Sequence, residues 1–186
     1  MGRTYESISP QIAEFIAAQK VVFVGTAPSE GGHVNVSPKG HDSVRVIDAH
    51  TVAYLDLTGS GAETIAHVRQ NGRVTLMWCA FDGPPRIVRV QGSGSVLTLG
   101  DAGFAEAAAR FPDHAGARAV ITVSADRVAD SCGYTVPLME YVGERTHMEK
   151  WCAGKSDGDL AEYRTKKNST SIDGLPAWLP TDALGA

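Results

Sequence analysis

The sequence lacks long hydrophobic runs, an excess of positive charge and an apolar segment near its start. Its longest apolar stretches have the length of a β-strand, far short of the ~20 residues that a membrane-spanning helix requires. The formal net charge is −4, which disfavours nucleic-acid binding because a phosphate backbone requires a strongly basic surface. The first ten residues contain no signal-peptide core. We therefore expect a cytoplasmic protein that binds neither nucleic acid nor membrane.

Cysteine and histidine are scarce and scattered. The three cysteines, Cys79, Cys132 and Cys152, are odd in number and far apart, so they predict neither a disulfide framework nor a zinc knuckle. The six histidines show no H-x-x-x-H spacing, and we predict no metal site. The residues also form no recognisable catalytic triad, so the sequence leaves the catalytic residues unassigned.

The 186 residues do contain a series of runs rich in β-branched and aromatic residues. These runs predict six strands, at 20–27, 33–40, 51–57, 73–81, 86–99 and 117–130. Helical spacing predicts short helices at 9–19, at 62–72 and after Asp101. Ser9 and Asp101 are the expected caps of the first and third helices, and Asn71-Gly72 is the expected end of the second. Short connections favour antiparallel hairpins, since parallel strands need crossover helices. We expect a mainly β fold, a closed or partly closed antiparallel barrel with peripheral helices.

Proline and glycine mark special points in these strands. Pro38 is expected to end the pairing of its strand, because proline has no amide to donate. Gly92 and Gly94 lie inside the long run at 86–99 and predict a β-bulge or a barrel corner there.

A glycine-rich turn, "LTGSGAET" at 57–64, joins a predicted strand to a predicted helix. In one interpretation Ser60 caps the helix and Glu63 reaches back to it as a capping box. In the other, the unpaired amides at the helix start bind an anion, with help from hydroxyl groups. Both interpretations remain open from the residues alone. Lys39, at the end of a preceding strand, is a candidate cation for such an anion, and Arg45 is a second candidate.

The order of "VNVSPKG", "VAYLDLTGSGAET" and "RVTLMWCAFDGPPRIVRVQGSGSV" resembles the pyridoxamine 5′-phosphate oxidase-like family of flavin-binding split barrels. The resemblance covers roughly residues 10–130, and "SIDGLP" near the end also fits. It implies a six-stranded antiparallel split β-barrel that forms a homodimer, with FMN held in clefts between the two chains.

The resemblance also implies a set of cofactor-binding residues. They are Ser37, Pro38 and Lys39 on one strand, Thr58, Gly59, Ser60, Gly61 and Thr64 around the turn, and Arg86 at the start of a later strand. Many relatives carry Lys or Arg in the first turn of the helix, where this chain has Ala62-Glu63-Thr64. We therefore assign the pairing with the phosphate to Lys39. The arginine-and-histidine motif for pyridoxal phosphate is missing, so the resemblance does not imply oxidation of vitamin B6.

We interpret residues 1–130 as the FMN-binding barrel and residues 131–186 as a helical and loop extension of the same domain, packed on the barrel or on the partner. Two capping boxes, Thr146 to Glu149 and Ser156 to Asp159, predict helices in this extension.

Three functions stay open. The first is an FMN-dependent oxidoreductase that acts on a small organic substrate with a nicotinamide electron donor. The alternatives are a reductase that uses the deazaflavin F420, and a flavin- or haem-binding protein without enzymatic activity.

Overall fold

The fold is described from a computed structural model of the chain, covering residues 2–183. Within that range the backbone forms eight β-strands. They are Arg3–Tyr5 (β1), Val22–Thr26 (β2), Asn35–Lys39 (β3), Val44–Asp48 (β4), Thr51–Leu57 (β5), Arg73–Cys79 (β6), Ile87–Thr98 (β7) and Ala117–Ser131 (β8). The six predicted strands are confirmed, and β1 and β4 are two short strands that the sequence analysis missed.

Helices occupy the connections and the C-terminal part of the described chain. They are Pro10–Ala18 (α1), Glu63–Asn71 (α2), Phe104–Ala108 (α3), His147–Ala153 (α4) and Asp157–Asn168 (α5), followed by a 3₁₀ turn at Pro180–Ala183. None of the helices in residues 2–183 combines the length and the apolar character needed to cross a bilayer.

All strand pairs are antiparallel, as predicted. The order of strands across the sheet is β3-β2-β6-β7-β8-β5-β4, and β1 pairs with the second half of β8. The fold is therefore mainly β, a single antiparallel sheet with helices at its periphery.

The connection between β3 and β4 requires this sheet to curl. Laid flat, seven strands would place the two outer strands about 29 Å apart. The chain from Lys39 to Val44 spans only five Cα steps, which reach at most about 19 Å. The outer strands must approach each other, and an ion pair between Lys39 of β3 and Asp56 of β5, 2.8 Å long, bridges the gap. The result is a partly closed barrel.

The inside of the curled sheet holds the main core. Side chains from alternate positions of the strands are fully buried there, among them Val24, Tyr54, Leu76, Trp78 and Ile121. The outer face of β5 and β8 is covered in turn by α3, which buries a second cluster of Ala53, Leu55, Ala107, Phe111 and Val120. Because β5 is buried on both faces, its sequence is a nearly continuous apolar run rather than an alternating one.

Pro38 does not end the pairing of its strand, contrary to the prediction. It lies opposite Phe23, and Lys39 beyond it is still paired with Val22. The reason is that β3 is an outer strand of the sheet. A proline is accommodated on such a strand because its missing amide faces away from the only neighbour.

The predicted irregularity at Gly92 is confirmed. The register between β7 and β8 shifts between Gln91 and Gly92, because Gln91 lies opposite Arg127 and Gly92 opposite Ala125. The extra residue is on β8, as in a β-bulge.

Three of the predicted helix ends are confirmed. Ser9 caps α1 by accepting a hydrogen bond from the amide of Ile12, and Ser156 caps α5 in a complete capping box with Asp159. Gly72 ends α2 in the left-handed conformation, with φ of 72°, which glycine adopts without strain.

Two other predicted caps are wrong. Thr146 precedes α4 but makes no side-chain cap. Asp101 does not cap α3, which begins after Gly103, because its carboxylate accepts hydrogen bonds from the amide and hydroxyl of Thr98 instead.

Candidate functional site

The glycine-rich turn connects the end of β5 to the start of α2, and its capping box is absent. The residue before α2 is Ala62, and no side chain caps this helix. The Glu63 carboxylate instead accepts hydrogen bonds of 3.1 and 3.2 Å from the amide of Ile172, in the C-terminal arm. Since the helix begins at Glu63, Ser60 lies too far before it to act as a cap. The interpretation of Ser60 and Glu63 as a capping box is therefore wrong.

The amides at the start of α2 are consequently free. Within residues 2–183, no protein acceptor lies in hydrogen-bond reach of the backbone amides from Ser60 to Thr64. The helix dipole adds a partial positive charge at this point. Free amides combined with a helix amino terminus form the arrangement that binds phosphate and carboxylate groups in proteins.

The start of the turn is anchored to β8 and α5. The amide and the hydroxyl of Thr58 both donate to the carbonyl of Gly116, over 2.7 and 2.9 Å. The hydroxyl oxygen also accepts a hydrogen bond of 2.9 Å from Nε of Arg164. Thr58 is almost fully buried, so its side chain serves to fix the turn.

The carbonyl groups of the turn are held from the same side. Nδ2 of Asn168 donates to the carbonyl of Gly59, and Nη2 of Arg118 donates to the carbonyl of Gly61, both over 3.0 Å. Nη1 of Arg118 also donates to Oδ1 of Asn168 over 2.7 Å. With these two carbonyls bonded to the protein, the turn leaves its amides available to a ligand.

Lys39 is engaged in a buried ion cluster. Its Nζ lies 2.8 Å from Oδ1 of Asp56, and Nε of Arg118 lies 2.7 Å from Oδ2 of the same carboxylate. Burial alone would raise the pKa of Asp56, but the two cations outweigh it and lower the pKa from 3.8 to about 2. The carboxylate is therefore charged at neutral pH and offsets one of the two cations. Since Lys39 is on β3 and Asp56 on β5, their ion pair also connects the two opposite sides of the curled sheet.

Asn35 connects two further predicted site residues. Its Nδ2 donates to the hydroxyl of Thr64 over 3.1 Å, and its Oδ1 accepts from the hydroxyl of Ser37 over 3.0 Å. Asn35, Ser37 and Lys39 are the partly buried positions of β3, whereas Pro38 alternates to its exposed face.

Arg86 lies apart from this group. It forms an ion pair of 3.0 Å with Asp130 and stacks on Phe15, with its guanidinium carbon 5.1 Å from the ring centre. Hydrogen bonds thus tie β3 and the turn together through Asn35, Asp56 and Arg118, but Arg86 belongs to a different part of the surface. The cofactor-binding role of all these residues stays a prediction.

The sequence analysis missed the buried polar residues behind the turn. Arg118 stands alone among apolar residues in "ARAVITV", and a lone charge in a buried strand is a usable signal. Arg164 and Asn168 follow Leu160 at intervals of four residues, which places all three on one face of α5. That spacing could have identified Arg164 and Asn168 as buried residues, unlike the exposed lysines of the same helix.

The curled antiparallel sheet, with a glycine turn leading into α2, defines the class of split β-barrels. Two solved structures share this fold, each covering 67% of this chain. A variant of HupZ from Group A Streptococcus is 21% identical, with 99% of that chain covered and a TM-score of 0.52. A candidate pyridoxamine 5′-phosphate oxidase from Lactobacillus delbrueckii is 22% identical, with 94% covered and a TM-score of 0.52.

Sequence comparison gives the family. The model of the pyridoxamine 5′-phosphate oxidase family matches residues 8–132. The chain is also 42% identical over 189 residues to the pyridoxamine 5′-phosphate oxidase family protein ustO of Aspergillus flavus. That alignment covers 92% of this chain and 76% of the fungal protein. The chain therefore belongs to the pyridoxamine 5′-phosphate oxidase family.

The capping box at α5 and its absence at α2 predict different effects of serine substitution on stability. Ser156→Ala is expected to lower the free energy of unfolding by about 1 kcal/mol, because it removes a side-chain cap from α5. Ser60→Ala, at an exposed residue that caps nothing, is expected to change it by less than about 0.5 kcal/mol. Urea unfolding of the two variants and the parent protein measures both effects. A loss of about 1 kcal/mol in the free energy of unfolding for Ser60→Ala as well would show that Ser60 stabilises α2.

Proposed function

We propose that the protein is an FMN-dependent oxidoreductase that transfers electrons between a nicotinamide and a small organic substrate. A flavin supplies the redox chemistry itself, and the protein binds and orients it. The observation that carries the proposal is the set of free amides at the start of α2, on a turn whose carbonyls are bonded elsewhere. Membership of the family supports a flavin as the ligand.

In this proposal the backbone amides from Ser60 to Thr64 bind the phosphate of FMN, with the exposed hydroxyl of Ser60 as an additional donor. Gly59 and Gly61 keep side chains away from the anion. Ser37, Pro38 and Lys39 border the flavin from β3. Glu63, beside Gly61, opposes an anion, and its hydrogen bond to Ile172 holds the carboxylate toward the C-terminal arm.

The cations near the turn outnumber its carboxylates. Lys39, Arg118 and Arg164 contribute three positive charges, against the negative charges of Asp56 and Glu63. The local surplus is one positive charge, which favours an anion in a partly buried setting. This surplus replaces the lysine or arginine that many relatives carry in the first turn of the helix.

We propose that two copies of the chain complete the site. Large apolar side chains are exposed on β3, just before it and on the segment after β8, namely Val34, Val36, Tyr134, Leu138, Met139, Tyr141 and Val142. Between them lies a cavity of about 610 Å³ that Pro38, Lys39, Met139 and Tyr141 help to line. A second copy would cover these side chains and wall the cavity. Arg86, remote from the turn in one chain, would contribute from the partner.

The same proposal places the protein in the cytoplasm. It is supported by Cys79, Cys132 and Cys152, none of which forms a disulfide, as is usual in a reducing compartment.

Flavin binding tests the role of the turn. We expect the protein to bind FMN more tightly than riboflavin, which lacks the phosphate. Ser60→Asp is expected to weaken FMN binding by at least about tenfold, because the new carboxylate repels the phosphate. The same change is expected to leave riboflavin binding unaltered. Ser60→Ala, which removes only the hydroxyl donor and adds no charge, is expected to weaken FMN binding by less than Ser60→Asp does. Flavin fluorescence titrations of the parent and both variants with each flavin measure all six affinities.

Several results would contradict the proposal. They are failure to bind FMN after reconstitution, equal effects of Ser60→Asp on both flavins, and sedimentation of the FMN-loaded protein as a monomer. Preferential binding of the deazaflavin F420 in competition would identify the other cofactor. Lack of turnover with NADH or NADPH, despite bound FMN, would indicate a binding protein without enzymatic activity.

A further inference from the structure

A second cavity, of about 680 Å³, lies on the outer face of the sheet, between α3 and α5. It is separate from the barrel interior, because Leu55 lines it whereas the neighbouring Tyr54 points into the main core. Its walls are largely apolar and include Leu55, Leu99, Phe104, Ala108, Phe111 and Leu160. The volume is typical of a pocket for a small organic molecule.

Two basic residues of the described chain line this cavity, Arg164 and His114. Burial lowers the pKa of His114, so Arg164 is the cation of the lining at neutral pH. Only 5% of the residue is exposed, yet no carboxylate in residues 2–183 lies within salt-bridge distance of its guanidinium. Its Nε donates to Thr58 and its Nη2 to the carbonyl of Ala117. The ring of Trp178, 5.7 Å from the guanidinium carbon, offsets only part of the cost of burying this charge. A ligand that supplied an anion would offset more of it.

The third nitrogen of this guanidinium is available to a ligand. Nη1 has no acceptor among the described residues, and it is not sealed from solvent as the buried, unpaired nitrogens of His67 and Trp178 are. Burial, followed by repulsion from Arg118, lowers the pKa of Arg164 below its ordinary value. Arg164 nevertheless stays charged at neutral pH, because an arginine is protonated throughout this range.

The rim of the cavity limits the charge of the ligand. Asp113 and Asp157 both line it and are exposed. Their negative charges oppose a second anionic group on a bound molecule. An apolar wall, one available guanidinium nitrogen and an acidic rim together fit a molecule with one negative charge and an apolar body.

We propose that this cavity binds a small monocarboxylic acid whose carboxylate pairs with Arg164 and whose apolar body packs against Phe104, Phe111 and Leu160. The proposal does not rest on flavin binding, since the cavity is on the outer face of β5 and β8 and uses none of the free amides of the turn.

Decanoate and decanol, which differ only in the charged group, are the probes. In calorimetric titrations of the full chain at neutral pH, we expect decanoate to bind at one site and decanol at least about tenfold more weakly, as the loss of a charge-assisted hydrogen bond predicts. Ala161→Phe, which fills the cavity from α5, is expected to abolish decanoate binding. The matched control is Ala153→Phe, at an exposed position of α4 outside this cavity.

Variants of Arg164 separate charge from shape. Arg164→Met is expected to reduce decanoate affinity about 10- to 100-fold, and Arg164→Lys to retain most of it. Circular dichroism and unfolding curves identify any variant that fails to fold. If the Arg164 variants fail to fold, Ala161→Phe still tests the cavity, because it leaves Arg164 unchanged. Equal binding of the two probes, or decanoate binding that survives Ala161→Phe, would overturn the proposal. Titrations repeated with saturating FMN are expected to show decanoate binding that is retained but weaker, because both anions interact with the charge of Arg164. Loss of decanoate binding there would place the probe in the flavin site instead.

Discussion

Asp56→Asn is expected to lower the free energy of unfolding at neutral pH by about 3–5 kcal/mol, the cost of removing one partner from a buried ion cluster. Asp56 is 1% exposed and pairs with both Lys39 and Arg118. The amide would leave two cations facing each other without an anion between them. Since Lys39 and Asp56 also bridge the two ends of the sheet, the barrel itself would be weakened.

Asp42→Asn is the matched control. Asp42 also pairs with an arginine, Arg45, over 2.8 Å, but its side chain is 69% exposed. Exposed pairs contribute about 0–1 kcal/mol, so this variant is expected to unfold almost like the parent. Guanidinium unfolding of the three proteins measures the difference. Similar losses for Asp42→Asn and Asp56→Asn would show that the buried cluster has no special role.

The same carboxylate predicts how stability depends on pH. The pKa of Asp56 is lowered in the folded state to about 2 from 3.8, so the unfolded chain takes up its proton first. The contribution is complete above about pH 4 and is lost as pH falls toward about 2, and it amounts to about 2 kcal/mol. Unfolding curves measured across this pH range should show that the free energy of unfolding decreases less steeply with falling pH for Asp56→Asn than for the parent. Identical pH slopes for the two proteins would contradict the assignment.

Gly92→Ala is expected to destabilise the fold by at least about 3 kcal/mol, at the upper end of overpacking effects. A Cβ atom at this position would lie 1.9 Å from the carbonyl oxygen of Ser124. The obstruction is backbone, in the paired strand β8, where the register shifts. Neither strand can move aside without breaking the hydrogen bonds on both sides of the bulge.

Gly154→Ala serves as its control, because a Cβ there meets nothing within 4 Å and the backbone has a negative φ of −90°. We expect a change of less than about 1 kcal/mol in either direction. Thermal and urea unfolding compare the variants. Tolerance of alanine at position 92 would mean that β7 and β8 do not approach as closely as described.

The candidate site was only partly predictable. The free amides of the turn were one of two interpretations of "LTGSGAET", and the sequence could not decide between them. The decision depends on Glu63, whose carboxylate binds the amide of Ile172, more than a hundred residues away. Lys39 was expected to pair with the phosphate, which stays a prediction. Its partner Asp56 was not recognised, because the sequence shows it only as one polar residue in an apolar strand.

By itself the sequence determined the parts of the fold that local chemistry controls. Alternating or apolar runs specified the main strands, Ser9 and Ser156 the starts of two helices, Gly72 the end of another, and Gly92 the irregular pairing of β7 with β8. These features depend on neighbours within a few residues, so their signals are present in short stretches of sequence.

Only the tertiary structure decided which polar groups are satisfied and which are free. Asp56, Arg118 and Arg164 obtain their partners from strands and helices distant in sequence. The curling of the sheet places them together. A charge buried among apolar residues is stable only with such partners, and partners at long sequence separation leave no periodic pattern. The identity of the free amides and of the unpaired guanidinium therefore follows from packing and not from any motif.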